Sequence, residues 1–433
     1  MTNWTPVLEP GTRIAAEAEA AVRAVAQFVR AGEYPPLIRL KRKPALYENS
    51  LLFGYLALAG WGSEWLELTG EHLNLAIEEA STYQKPGLER GLSGLGWAVE
   101  HLAAELGGKS EKDAGAADPG EDLNEETDRA VLRSLARDSP GTHYDLLTGV
   151  VGCGVYFLER MPRDSAAQGL RMVLARLQNM AEQRADGIAW HSGPELLPRG
   201  QRENWPNGYD NLGIAHGIPG VLYFLSETAA AGIEPERCRG LLDGAMAWFL
   251  AQRRPAGSRS WYGDWIAGGK QGDSRLAWCY GDLGIVAVLL QVARRSGRAD
   301  WLSFSRELLD ACLRRSGSEA EAGVNDAPLC HGAAGVAHIF NRIYQAEGDP
   351  RCRGIAVAWF ERALAMRREG TGIAGFSTFM RLRSSGEILW EPNPAFLDGA
   401  IGVALALLGA VTSVNPAWDR MLVLSGRNYH GRP

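Results

Sequence analysis

Four side chains of metal-ligating type lie one or two residues before glycines. Cys279 is part of a Trp-Cys-Tyr-Gly motif, and Cys330 and His331 belong to a Leu-Cys-His-Gly motif. An Ala-His-Gly motif places His216 equivalently before Gly217. Two thiolates and an imidazole are a normal ligand set for Zn²⁺ and leave one coordination position open for water or a substrate. These side chains occupy nearly the same position relative to the glycine of each motif. That agreement favours a zinc site over the alternative, in which each cysteine is a small buried hydrophobic residue.

The three motifs belong to a repeat that extends along most of the chain. Two glycines three residues apart are followed by an apolar run. The six clear copies have their glycine pairs at 91–94, 149–152, 217–220, 281–284, 332–335 and 399–402. A weaker first copy surrounds Gly54 and lacks the second glycine. Each interval is long enough for about two helices of mean length 11–12 residues. Taken singly, most copies need no role beyond helix packing.

The apolar runs alternate with amphipathic stretches of three-to-four-residue periodicity, which indicates buried helices alternating with half-exposed ones. This alternation predicts an all-α fold: a closed α/α toroid of about seven repeats, forming one domain over 1–433. Glycines at the starts of the inner helices would let backbones approach closely at the rim that carries the zinc site. The polar segment 107–123 is predicted to be a flexible insertion, and 257–273 a loop. Any small non-helical insert is expected between Gly94 and Gly149.

Composition narrows the functional classes. The chain has 433 residues, 46% hydrophobic and 22% charged, and its net charge of -6 argues against a nucleic-acid binder, which needs a basic field. The N-terminal residues do not resemble a signal peptide, and no apolar run of about 18 residues predicts a membrane span. Six cysteines are too few for a disulfide framework, so a cytoplasmic protein is expected. Four of them are predicted to be packing residues: Cys153, Cys238, Cys312 and Cys352.

The Trp-Cys-Tyr-Gly and Cys-His-Gly motifs, with the His-Gly turn upstream, resemble the signature of LanC-type lanthionine cyclases. The repeats cover about residues 50 to 410, as the seven-fold toroid of that family would. The length is similar to that of the stand-alone bacterial cyclases of class I lanthipeptide systems. The resemblance implies that Cys279, Cys330 and His331 bind zinc. It also implies active-site roles for Arg275, four residues before Cys279, and for His216 and Asp145.

The resemblance implies that a zinc-bound peptide thiolate adds to dehydroalanine or dehydrobutyrine and forms lanthionine or methyllanthionine. The partner would be a dehydrated precursor peptide, with a dehydratase and a transporter as further members of a biosynthetic complex. Imidazole titrates near working pH, so His216 is expected to handle the proton. Arg275 suits the developing oxyanion, and Asp145 would orient His216. The alternatives are a helix N-cap for Asp145 and a structural ion pair for Arg275.

Three other functions remain open at this point. A protein prenyltransferase is also a zinc-dependent α/α toroid that activates a thiolate, but it would need an isoprenoid pocket and a partner subunit. A toroid glycoside hydrolase would need two facing carboxylates. Of the aspartates, only Asp145, Asp282 and Asp398 lie near repeat glycines. The non-enzyme alternative is a zinc-bearing scaffold that binds peptides or glutathione without turnover.

Overall fold

The computed structural model describes residues 4–32, 34, 45–82, 85–107, 122–137, 141–382 and 386–429. Most of these residues are helical. The α-helices are α1 (Arg13–Ala31), α2 (Leu46–Leu58), α3 (Glu64–Glu78), α4 (Leu92–Gly107), α5 (Glu125–Ala136), α6 (Val150–Arg160), α7 (Asp164–Met180), α8 (Arg199–Arg202), α9 (Ile218–Ala230), α10 (Pro235–Ala251), α11 (Asp282–Arg295), α12 (Ala299–Arg315), α13 (Glu319–Ala322), α14 (Ala333–Glu347), α15 (Pro350–Ala365) and α16 (Ala400–Val411). Short 3-10 helices span Glu79–Thr82, Pro194–Leu196 and Ala417–Leu422.

The repeat glycines mark where helices begin, as predicted. In all six copies the first glycine directly precedes a helix, namely α4, α6, α9, α11, α14 and α16. In four copies the second glycine packs against the carbonyl oxygen of the residue six positions earlier: Gly152, Gly220, Gly335 and Gly402. A Cβ at Gly152 would lie 2.3 Å from the Leu146 oxygen, and one at Gly335 would lie 1.9 Å from the Leu329 oxygen. Backbone atoms cannot yield as a flexible side chain can, so any larger residue would displace the turn before the helix.

Burial separates two kinds of helix, as the periodicity predicts. Every residue of α6 is buried, and so are the first eleven residues of α16. In α7 the buried positions recur every three or four residues, which leaves the opposite face to solvent. The weak copy around Gly54 differs, because this glycine lies inside α2 and starts no helix. Among the described residues, no helix has both the length and the apolar character needed to cross a bilayer.

The chain forms two compact units. The first comprises Met1–Glu78, Arg275–Trp278 and Leu313–Ala417. Within it α14 packs on α15, α2 on α3, and α16 contacts α1, α2 and α14. A two-stranded antiparallel sheet, β6 (Thr378–Arg381) with β7 (Ile388–Glu391), completes this unit.

The second unit comprises Glu79–Ser274, Cys279–Cys312 and Trp418–Pro433. Its central helix α9 packs against α6, α10 and α11, while α6 also contacts α4 and α7. Its strands are β1 (Glu182–Arg184), β2 (Gly187–Ala189), β3 (His191–Ser192), β4 (Tyr209–Asn211) and β5 (Trp265–Ile266). β1 and β2 form a hairpin, and β3, β4 and β5 form an antiparallel sheet.

Short strands lie outside the interval in which the sequence analysis placed a small non-helical insert. The described strands lie within 182–266 and 378–391, not between Gly94 and Gly149. The polar stretch 257–273 is loop-like apart from the two residues of β5. Most of the predicted insertion 107–123, residues 108–121, lies outside the described residues. The single domain over 1–433 stays a prediction.

Candidate metal and proton-transfer site

Backbone hydrogen bonds connect the turns that precede the repeat helices. The connecting residue is the one two positions before the first glycine of each copy. In the second unit the Glu89 N–H donates to the Leu147 carbonyl at 2.9 Å, and the Leu147 N–H donates to the Ala215 carbonyl at 3.3 Å. The Ala215 N–H donates in turn to the Cys279 carbonyl at 3.4 Å. In the first unit the Cys330 N–H donates to the Leu397 carbonyl at 2.9 Å. These bonds bring equivalent turn residues side by side, although they are 50 or more residues apart in sequence.

The proposed metal ligands lie together. One ligand atom from each of Cys279, Cys330 and His331 lies within 4.8 Å of the others. The Trp278 N–H donates to the Cys330 carbonyl at 3.0 Å, and Cys279 follows Trp278 directly in the chain. Cys279 is buried, while Cys330 and His331 are partly exposed. The group is therefore reachable from solvent on one side.

The donor set fits a zinc ion. Bond lengths of about 2.3 Å to sulfur and about 2.0–2.1 Å to nitrogen would hold tetrahedral ligand atoms roughly 3.4–3.8 Å apart. Atoms already within 4.8 Å of one another need only small movements to reach that spacing. Three protein ligands would leave a coordination position for a further group, as in catalytic rather than structural zinc sites.

Two carboxylates accompany His331 in the first unit. The Nδ1 of His331 lies 3.7 Å from Oδ1 of Asp398. Asp326 is 1% exposed and accepts a hydrogen bond from the Phe379 N–H at 2.9 Å. Burial raises the pKa of Asp326, although the nearby His331 acts in the opposite direction. Neither aspartate was assigned a site role from the sequence, because a single acidic residue near a turn has many purely structural explanations.

The predicted proton-handling pair is also in contact. The Nδ1 of His216 lies 2.6 Å from Oδ2 of Asp145. Asp145 is 2% exposed, and 39% of the His216 side chain is exposed. His216 follows Ala215, whose N–H is bonded to the Cys279 carbonyl, so the imidazole is on the turn next to the first cysteine. Nδ1 is directed at a carboxylate, and His216 also lines a cavity.

Asp145 contacts both the turn that precedes α6 and the imidazole of His216. Its Oδ1 accepts hydrogen bonds from the backbone N–H groups of Thr148 (2.7 Å) and Gly149 (2.8 Å), at the entry to α6. Its Oδ2 is the atom that pairs with His216. The helix-entry bonds fix the carboxylate in place, and the fixed carboxylate then orients the imidazole.

Electrostatics favour the charged form of both partners. Burial alone would raise the pKa of Asp145, but the hydrogen bond and charge of His216 hold that pKa below its usual value. Burial alone would lower the pKa of His216, but Asp145 outweighs it and the net pKa is raised. Asp145 therefore accepts the Nδ1–H of an imidazole that stays protonated to a higher pH than a free histidine would.

Tyr280, which sequence reasoning did not select, adjoins this pair. Its ring centroid is 6.5 Å from that of His216, and its hydroxyl accepts a hydrogen bond from Asn211 at 3.2 Å. Burial raises the pKa of the Tyr280 phenol above its ordinary value. Tyr280 lies directly before Gly281, just as His216 and His331 lie directly before the first glycines of their own copies. This equivalent position is the signal by which the sequence could have identified it.

A cavity of about 250 Å³ opens beside His216 in the second unit. Its lining includes His143, Asp145 and His216, together with Leu196 and Tyr209. A molecule in this cavity would lie directly against the imidazole. Sequence reasoning missed the cavity because its apolar wall belongs to the irregular segment between β3 and β4.

Arg275 lies in the first unit, with its side chain exposed. A Cβ built on Gly323 would lie 2.9 Å from the Arg275 Cβ, so this glycine makes room for the arginine. Arg275 and Asp326 attract each other electrostatically. Its role in stabilising an oxyanion stays a prediction.

Other candidate residues have structural environments. Asp282 is fully buried and accepts hydrogen bonds from the backbone N–H groups of Trp261 and Tyr262 at 2.9 and 3.0 Å, which argues against a catalytic carboxylate. The cysteines outside the metal group are buried and form no disulfide, as expected of packing residues: Cys153, Cys238, Cys312 and Cys352.

Comparisons with known proteins agree with this architecture. The model of the family described as lanthionine synthetase C-like protein matches residues 49–423. Nisin biosynthesis protein NisC of Lactococcus lactis subsp. lactis is 22% identical over 308 residues, 65% of this chain and 64% of that protein. Glutathione S-transferase LANCL1 of Danio rerio is 26% identical over 140 residues, 32% of each. The matched segments thus span less than two thirds of either relative.

Among solved structures, nisin cyclase has a similar fold. The TM-score is 0.72 at 18% identity, and the match covers 94% of this chain and 97% of the other. This similarity confirms the predicted fold class, an all-α structure of the α/α toroid type.

Proposed function

This chain belongs to the lanthionine synthetase C-like family, and from that premise we propose that it is a cyclase that forms thioether rings in a dehydrated peptide. The observation that carries the proposal is the Cys279, Cys330 and His331 group, whose ligand atoms lie within 4.8 Å of one another. Few arrangements other than metal binding bring two thiols and an imidazole this close together at a partly exposed position.

The proposed cofactor is Zn²⁺, held by Cys279, Cys330 and His331. When bound, zinc supplies a Lewis acid that lowers the pKa of a substrate thiol, so that it reacts as thiolate near neutral pH. The partly exposed position of Cys330 and His331 is consistent with access by a peptide.

In the proposed reaction the peptide thiol gives its proton to water, and its sulfur forms a bond to the β-carbon of dehydroalanine or dehydrobutyrine. The electron pair of the carbon–carbon double bond moves onto the α-carbon and its carbonyl as an enolate, which then gains a proton at the α-carbon. One S–C bond forms, one π bond is lost, and the peptide keeps its mass.

His216 is the proposed donor of that proton, from Nε2. The Asp145 carboxylate, 2.6 Å from Nδ1, keeps the imidazole in one orientation and raises its pKa, so that the protonated form is available near neutral pH. Arg275, permanently charged, is the proposed partner of the enolate oxygen. Asp145 is a positioning residue in this scheme, since it contacts His216 and not the substrate.

The test is cyclisation of a peptide that contains one cysteine and one dehydroalanine. Because cyclisation leaves the mass unchanged, the products are treated with a thiol-alkylating reagent before mass spectrometry, so that only uncyclised cysteine gains the label. We expect the zinc-loaded protein to remove the alkylatable thiol much faster than buffer does. No acceleration by the zinc-loaded protein would contradict the proposal.

A second candidate is intermolecular thiol addition with glutathione, suggested by the name of the Danio rerio relative. The same thiol-binding group and the same proton donor would serve it. Supplying glutathione with a cysteine-free dehydroalanine peptide separates the two, because only this second activity adds the mass of glutathione to the peptide. The proposed precursor peptide, dehydratase and transporter are partners of the cyclase function alone.

A further inference from the structure

We propose that the cavity beside His216 is a specificity pocket, which receives the apolar side chain of the residue adjacent to the dehydrated residue of the substrate. This inference rests on the proposed cyclase function, because it names the part of the peptide that the pocket binds. The space is adequate: its volume is about 250 Å³. A cavity of about 150 Å³ already accommodates a benzene ring.

The pocket shares its wall with the proton-handling pair. Asp145 and His216 line it directly, together with Tyr280, which follows Cys279 in the chain. A side chain inside the pocket would therefore hold the adjoining peptide backbone against the imidazole. The α-carbon that needs a proton is only one residue from such a side chain, so filling the pocket would also align the reacting residue.

Leu196 and Leu197 form an apolar wall of the pocket, and hydrogen bonds fix the segment that carries them. Leu196 is half-buried and Leu197 is 3% exposed. Arg202 donates from Nε to the Leu197 carbonyl at 2.8 Å, and the Tyr209 hydroxyl donates to Gln201 at 3.0 Å. These bonds fix the segment that carries the leucines, so the wall is formed before substrate arrives.

Tyr209 also lines the pocket, and two tryptophans pack against its ring. The Tyr209 ring stacks on Trp265 with a centroid distance of 5.4 Å, and Trp205 contacts both rings edge-on at 5.6 and 4.9 Å. A tyrosine held by two tryptophans presents a rigid face, which discriminates between side-chain shapes better than a mobile one does.

The charges of the pocket favour a neutral occupant. The ionisable groups among the described lining residues are Asp145, two histidines and two tyrosines. The carboxylate of Asp145 is already engaged by His216 and by two backbone N–H groups. Because Asp145 and the protonated His216 neutralise each other, a charged side chain would lose its hydration beside a pair with no net charge, whereas leucine would gain apolar contacts.

The test measures binding without turnover. Two peptides are titrated calorimetrically into the zinc-loaded protein, each with one dehydroalanine and with serine in place of the reacting cysteine. They are identical except that dehydroalanine is flanked on both sides by leucine in one and by glycine in the other. We expect the parent protein to bind the leucine-flanked peptide about tenfold more tightly or better, the size of effect that one apolar pocket provides.

Three variants test whether the preference for the leucine-flanked peptide arises from the pocket. Leu196→Trp fills the pocket and should abolish the preference. Leu196→Ala enlarges the pocket and should shift the preference toward a phenylalanine-flanked peptide. This second variant tests the proposal even if the tryptophan variant fails to fold. Leu123→Trp is the matched control, because Leu123 is 61% exposed and does not line the pocket, so the preference should persist.

Equal affinities in the parent protein, or a leucine preference that persists unchanged in both Leu196 variants, would overturn the inference. Failure of the cyclase function gives a different result. In that case the leucine preference persists in binding, while a cysteine-containing peptide is not cyclised.

Discussion

Nδ1 of His216 lies 2.6 Å from Oδ2 of Asp145, although the two residues are 71 positions apart in the sequence. The contact follows from the backbone bond between the preceding turns, in which the Leu147 N–H donates to the Ala215 carbonyl at 3.3 Å. In the proposed mechanism, the buried carboxylate at one ring nitrogen leaves the other nitrogen to give a proton to the substrate. Orientation and protonation of the imidazole are therefore set by the same contact.

Asp145→Asn should move the pH dependence of cyclisation. In the parent protein the raised pKa of His216 keeps the imidazole protonated to higher pH, and the proton donor is lost as pH rises through that pKa. Without the carboxylate charge the pKa of His216 falls, so the alkaline limb of the rate profile should shift to lower pH. The measurement is the cyclisation rate, by thiol alkylation, between about pH 5 and 9.

Thr148→Val is the control for that substitution. It removes the hydroxyl hydrogen bond to Asp145, 3.1 Å in length, but keeps the carboxylate charge next to His216. Its alkaline limb should stay close to that of the parent protein. Coincident profiles for Asp145→Asn and the parent would show that Asp145 acts only at the entry to α6.

His216→Ala should keep its metal and lose most of its activity. A positioned general acid is worth about 10²–10⁴-fold in rate, and His216 is not among the grouped ligand atoms. Metal content and cyclisation rate are measured on the same preparation. The matched control is His143→Ala, since His143 lies 3.8 Å from the same Asp145 oxygen and should matter far less. Parent-like cyclisation by His216→Ala would assign the proton to another group.

Cys279→Ala and Cys330→Ala should each lose stoichiometric zinc and cyclisation together. Removing one thiolate leaves two protein ligands, too few for a stable site. Cys352→Ala is the control, because this buried cysteine belongs to α15 and should leave the zinc content unchanged. Metal analysis of the purified proteins gives the answer, and one equivalent of zinc in either ligand variant would contradict the ligand assignment.

Arg160→Met should destabilise the second unit without affecting metal binding. Arg160 is fully buried and pairs with Glu100 (2.7 Å), Asp122 (2.6 Å) and Asp128 (2.6 Å). Replacing it leaves the buried carboxylate of Asp128 without its cation, which typically costs about 3–5 kcal/mol of unfolding free energy. Denaturant unfolding measures the loss. Arg129→Met should change little, because its ion pairs with Glu125 and Glu126 are exposed. Equal midpoints for the two variants would refute the structural role of Arg160.

Predictions made from the sequence were most accurate where the cause was local. The helix starts at Gly149 and Gly332 follow from a glycine at a crowded turn and an apolar run behind it, and both signals lie within a few residues. The strands between 182 and 266 could not be foreseen in the same way. They are two or three residues long, which is too short for a period-two pattern to emerge.

By itself, the sequence determined the repeat, the buried and half-exposed helices, and the residue types at each turn, because these depend on neighbours along the chain. Tertiary structure alone decided which turns meet. Backbone bonds between turns place Ala215 against Cys279, and Trp278 and Leu397 against Cys330. One ligand atom from each of Cys279, Cys330 and His331 lies within 4.8 Å of the others. The pairing of Asp145 with His216 and the cavity walled by Leu196 and Tyr209 likewise depend on contacts between distant segments, which no local pattern encodes.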